Sequence, residues 1–190
     1  MTPNCYYLNV SFDICQESER LDWTFLDAEH QPVKPATGLE TGQFVFDDGD
    51  AMRLNVVANS YQGQLSSVHI IDCHLMHRPV MFSKRGNPGQ LAGTYPYPSP
   101  FFNPATMVNG QGATFSFGQG QALGTAAQMS WDSDAALIIR NRGRWEISFV
   151  MTVAIETAKG LEYRVFSFDP EGQVTTGATP PDDDGVATSA

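Results

Sequence analysis

Trp145-Glu146-Ile147-Ser148-Phe149-Val150-Met151-Thr152-Val153-Ala154-Ile155 is the stretch whose reading decides the fold. Large apolar side chains hold every odd-numbered position, and smaller or polar ones fill most of the positions between. Successive side chains of a strand point to opposite faces, so this pattern predicts a strand with one face in the core. Ala158-Lys159-Gly160 then offers a turn, and Leu161-Glu162-Tyr163-Arg164-Val165 resumes the alternation. The unit is expected to be a β-hairpin.

The same period recurs upstream. Tyr6, Leu8, Val10, Phe12 and Ile14 alternate with Tyr7, Asn9, Ser11, Asp13 and Cys15, and Leu21–Leu26 is the expected partner of that strand. Gln43–Phe46 is a short strand, followed by Asp47-Asp48-Gly49-Asp50, a turn in which Asp-Gly tolerates positive φ. Met52, Leu54, Val56 and Ala58 make a further strand. Val68–Leu75 carries apolar residues at both parities (Val68 and Ile70; Ile71, Cys73 and Leu75), which predicts an interior strand buried on both faces. Thr114–Phe117 and Ala127–Trp131 are strand candidates, and Asp134–Arg140 fits a short helix or another strand. Many short strands with glycine- and proline-rich turns predict an all-β fold, an antiparallel β-sandwich or jelly roll, with a long Pro/Gly/aromatic loop between Arg78 and Pro104. Residues 1–174 are expected to form one domain, and the small, acidic stretch 175–190 a disordered tail.

Composition narrows the partners. A formal charge of −10 on 190 residues repels phosphate backbones and anionic membrane surfaces, so neither nucleic acid nor membrane is expected as a partner. Met1–Cys5 lacks the basic-then-apolar pattern of a secretory leader, and three cysteines cannot all pair within one chain. Cytoplasmic residence with reduced thiols is the resulting expectation.

Few residue patterns carry chemistry. His69, Asp72, Cys73, His74 and His77 are the densest ligand-capable cluster, but four residues of strand span ~13 Å, too far for one ion. Asp72 and His74 share a strand face and could join a metal only with ligands from elsewhere; structural side chains account for them without a metal. Asp47, Asp48 and Asp50 lack the ligand spacing of a calcium loop and suit a solvated turn. Gly118-Gln119-Gly120-Gln121-Ala122-Leu123-Gly124 misses the spacing of a phosphate-binding glycine loop. No serine or cysteine can be paired with a histidine from spacing alone, so a non-enzymatic protein without cofactor or metal is expected. The aromatic run Tyr95-Pro96-Tyr97-Pro98-Ser99-Pro100-Phe101-Phe102 supplies the candidate site. Tyr95, Tyr97, Phe101 and Phe102 either form a self-association or ligand surface, carbohydrate included, or cap the sandwich core.

Three landmarks also occur in a telling order. Leu8-Asn9-Val10-Ser11-Phe12-Asp13 opens the chain, and Thr41-Gly42-Gln43 leads to Gly49-Asp50-Ala51-Met52-Arg53-Leu54. Trp145-Glu146-Ile147-Ser148-Phe149 and Phe168-Asp169-Pro170-Glu171 close it. This order resembles the bacterial PixA/AidA inclusion-body protein family over most of Leu8–Glu171, with Arg78–Pro104 outside the pattern. The resemblance implies an all-β sandwich and an intracellular bacterial product that accumulates or assembles, and it brings no catalytic residues. The leading expectation is therefore a cytoplasmic homo-oligomer. The competing ones are a carbohydrate-binding module and a cupin-like metal-dependent enzyme using Asp72 and His74.

Overall fold

The computed structural model describes residues 3–33, 44–60, 67–79, 99–101, 112–123, 127–141, 143–157, 160–168 and 171–175. In chain order the strands are β1 (Cys5–Asp13), β2 (Asp22–Leu26), β3 (Phe44–Asp47), β4 (Ala51–Asn59), β5 (Val68–Pro79) and β6 (Gly112–Thr114). They continue with β7 (Gln121–Ala122), β8 (Gln128–Asp132), β9 (Leu137–Ile138), β10 (Gly143–Thr157), β11 (Gly160–Phe168) and β12 (Glu171–Thr175). One sheet runs β2-β1-β4-β8-β7, with β9 also on β4. The other runs β3-β12-β10-β5-β6, with β11 beside β12 on the same edge of β10. No helix among the described residues is long and apolar enough to cross a membrane.

The deciding stretch lies inside β10, the longest strand. Trp145, Phe149, Met151, Val153 and Ile155 are all within 1% of complete burial. Each such side chain contributes about 1.5–3 kcal/mol on leaving water. They meet Leu8, Val10, Leu54 and Val56 of the facing sheet in one core. Aromatic pairs join the layers: Phe12 lies 4.6 Å from Phe166, Tyr6 packs edge-on to Phe46 at 5.4 Å, and Trp23 stacks on Phe168 at 5.5 Å between ring centroids. The β10–β11 hairpin closes at Gly160, whose φ of 120° suits a residue without Cβ.

Most ladders are antiparallel, but two depart from an all-antiparallel sandwich: β1–β4 and β3–β12 are parallel. Alternation tells which face a strand buries and not which neighbour it takes, so the pattern cannot distinguish them. A clamp sets the start of the β1–β4 ladder. The buried Asp50 carboxylate accepts N–H bonds from Asn4 and Asp47, each 2.8 Å, while the Ala51 N–H donates to the Asn4 carbonyl at 2.8 Å. Gly49 sits in this turn at φ 96°, as its Asp-Gly context predicts. Asp50 is thus a backbone cap. Leu137–Ile138 of the ambiguous Asp134–Arg140 stretch is a short strand. Thr175, the first residue of the expected 175–190 tail, ends β12, and the rest of that tail lies outside the described residues.

Candidate functional site

A cleft of about 610 Å³ lies beside the N-terminal half of β5. Its origin is one extra residue. Along the β5–β10 ladder Asp72 faces Thr152 and Ile70 faces Val153, which leaves Ile71 without a partner as a β-bulge. The bulge reverses the parity of the strand. Before it Val68 points to the core; after it Cys73, Leu75 and His77 do, and Ile71 is 56% exposed. The expected burial on both faces is therefore a single core face that changes phase, and β5 is interior in the sense that β10 and β6 flank it. Bulges gather at sheet edges and sites because they re-aim side chains in this way.

The opposite wall is Thr114–Gly120. Phe115 donates its N–H to the Cys73 carbonyl at 3.0 Å, and then the chain leaves β5 for the other sheet. There Asp134 N–H donates to the Ser116 carbonyl at 2.9 Å and Phe117 forms a bridge with Ser133. Met129 and Trp131 complete the lining. Gly120 is required here for close approach: a Cβ on it would lie 2.5 Å from the Trp131 indole. That contact is the physical reason for this glycine, and the stretch Gly118–Leu123 leads into β7 with no helix behind it.

At the outer rim a hydroxyl, an imidazole and a carboxylate stand in series. His74 Nδ1 is 3.1 Å from Thr114 Oγ1, and His74 Nε2 is 2.7 Å from Asp72 Oδ2. Two residues apart on one strand, Asp72 and His74 meet as their spacing predicts; Thr114 comes from forty residues away and has no sequence signal. With the His74 and Asp72 side chains 44% and 46% exposed, water competes for each proton, and the series serves to fix the imidazole orientation. His69 pairs separately with Ser67 Oγ at 2.8 Å. Among the described residues no three His, Cys, Asp or Glu side chains converge as a metal site.

The remaining members of the histidine–cysteine cluster lie on the inner face. Cys73 is fully buried, and burial, with the Asp72 carboxylate adding to it, pushes its thiol pKa up. His77 is 6% exposed with neither ring nitrogen hydrogen-bonded, and burial pulls its pKa down to about 4. It packs edge-on against Phe101, 5.0 Å between ring centroids. Of the aromatic candidates Phe101 is thus in the core, at 6% exposure; Tyr95, Tyr97 and Phe102 lie outside the described residues. The segment beside Phe101 is held firmly. Arg140 and Asn141 donate their N–H groups to the Pro100 carbonyl at 2.8 and 3.1 Å, and Asn141 Nδ2 donates to the Ser99 carbonyl at 3.0 Å.

Ile71, Thr114, Phe117, Gly120 and Trp131 are the cleft residues that sequence reasoning passes over. One signal was present: the doublet Ile70-Ile71, where apolar positions switch from even to odd, marks the phase change. Comparison with protein-family models and with curated proteins finds no match for this chain.

Proposed function

We propose that this chain is a non-enzymatic, cytoplasmic bacterial protein of the PixA/AidA inclusion-body type, jelly-roll-like in topology, that works by self-association. One observation supports it above the rest. Of the large apolar side chains exposed among the described residues, all but Leu123 and Ile138 belong to one sheet: Ile71 and Met76 on β5, and Leu161, Tyr163 and Val165 on β11. Leu161, Tyr163 and Val165 stand opposite Glu156, Ala154 and Thr152 of β10, on the side away from the core. Apolar patches of this kind mark association surfaces.

Charge favours a second copy as the occupant. A chain of net charge −10 repels its own copies over most of its surface. On this face Arg78 offsets the Glu146 charge and His74 holds the Asp72 carboxylate, so Asp72 and Glu156 are its remaining acids. A second copy meets few like charges here. Of the aromatic candidates Phe101 belongs to the core, and Tyr95, Tyr97 and Phe102, outside the described residues, stay candidates for association on their sequence alone.

Light scattering on the purified protein tests this. The wild type is expected at a multiple of the 20.8 kDa chain mass, and a Tyr163→Lys/Val165→Lys variant at 20.8 kDa with an unchanged urea midpoint. A wild-type protein that stays at 20.8 kDa at high concentration rejects the reading.

A further inference from the structure

β5 is paired with β10 from Val68 to Pro79, yet its other edge holds β6 only at His74–Met76, with one more bond from Phe115. From Ser67 to Asp72 that second edge has no strand beside it among the described residues. Ser67–Asp72 is also one wall of the cleft. The opposite wall, Thr114–Gly120, diverges toward the other sheet, so a slot opens along an edge that no described strand occupies. Backbone N–H and C=O groups on such an edge need partners, and an added strand supplies them in a way that a sugar or a compact molecule does not.

Dimensions and charge narrow the occupant. Six residues of strand run about 20 Å, the length of a five- or six-residue extended peptide. Ile71 offers apolar contact at the lip, and Phe117 and Met129 add partly buried apolar surface. Trp131 is only 5% exposed, its ring covered by Gly120, so it offers no open face for stacking a sugar. Asp72 is the one acidic side chain in the lining, and among the described residues no Lys or Arg lines the cleft.

We propose that this cleft binds an extended peptide bearing a Lys or Arg between small apolar residues, added as a strand to the edge of β5 between Ser67 and Asp72 that no described strand occupies. The site is distinct from the association face apart from Ile71 and Asp72, and it stands whether or not the chain self-associates.

The test is fluorescence anisotropy with a labelled, end-blocked peptide Ala-Val-Lys-Val-Thr-Ala and two relatives, one with Glu for Lys and one with Pro for the second Val. The parent peptide is expected to bind, and each relative to bind about tenfold more weakly, the first through charge and the second through the lost backbone donor. Gln119→Lys, an exposed cleft position, should weaken the parent peptide about fivefold and Gln119→Glu should not. No binding of the parent peptide, equal binding of the proline relative, or indifference to Gln119→Lys overturns the proposal. Saturable binding of a neutral oligosaccharide abolished by Gln119→Lys, with no peptide binding, would also overturn it. Repeating the titration with the Tyr163→Lys/Val165→Lys variant separates this site from assembly: peptide binding should be unchanged.

Discussion

β4 and β5 are both long strands with neighbours on both edges, and they have been put to different uses. β4 buries Met52, Leu54, Val56 and Ala58 at every second position without a break, and its other side chains are all partly exposed. β5 begins with the same rhythm, takes one extra residue at Ile71 and continues in the opposite phase. An unbroken period of two can only build a core face. One unpaired residue turns two successive side chains, Ile71 and Asp72, outward and borders the stretch beside which no second strand lies among the described residues. The cleft, the Asp72–His74 pair and the exposed apolar lip all sit at that interruption.

The widest contrast is in packing. Leu54→Ala in β4 should cost about 2–5 kcal/mol, whereas Ile71→Ala in β5 should stay within about 0.5 kcal/mol. Urea unfolding measures both, and similar losses would break the distinction between the strands. The next effect is confined to β5 and appears in acid. His77 has its pKa lowered from 6.5 to about 4, so the unfolded chain takes up the proton first. Its contribution is complete above pH 6.5 and is lost as pH falls toward about 4, a loss of about 3 kcal/mol. His77→Leu should flatten that part of the stability–pH profile, and an unaltered slope would count against a neutral buried imidazole.

Smaller again is Gly120→Ala. The added methyl would press on the Trp131 ring, at a cost of about 1–3 kcal/mol with a change in tryptophan emission. Deleting Ile71 should cost only about 1 kcal/mol, since Val68, Ile70, Cys73 and Leu75 then follow one continuous alternation. The same deletion should abolish peptide binding at the cleft; a deletion variant that binds normally would show that the interruption does not make the site.

How much of this was legible in the residues follows from what alternation can encode. The Trp145–Ile155 strand, its hairpin to Leu161–Val165, the opening strand with Leu21–Leu26 and the Met52–Ala58 strand were all visible, because each keeps one phase. The parallel partners of β1 and β12 were not, because pairing depends on chain crossings that leave no periodic trace. At the cleft, Asp72 and His74 could be placed on one face from their spacing. A phase change and burial on two faces look alike in sequence, so Ile71 was counted as interior. Gly120 looked like a flexible connector until the Trp131 ring on the neighbouring strand of the same sheet explained it.

The position of Cys73 has a use beyond packing. Its thiol is fully buried under the bulged strand with its acidity suppressed, whereas Cys15 is open to solvent. A thiol reagent should therefore label Cys15 at once and Cys73 only when β5 comes away from its neighbours. The slow labelling rate is then a built-in clock for opening of this strand, and a peptide lodged along its edge should slow that clock.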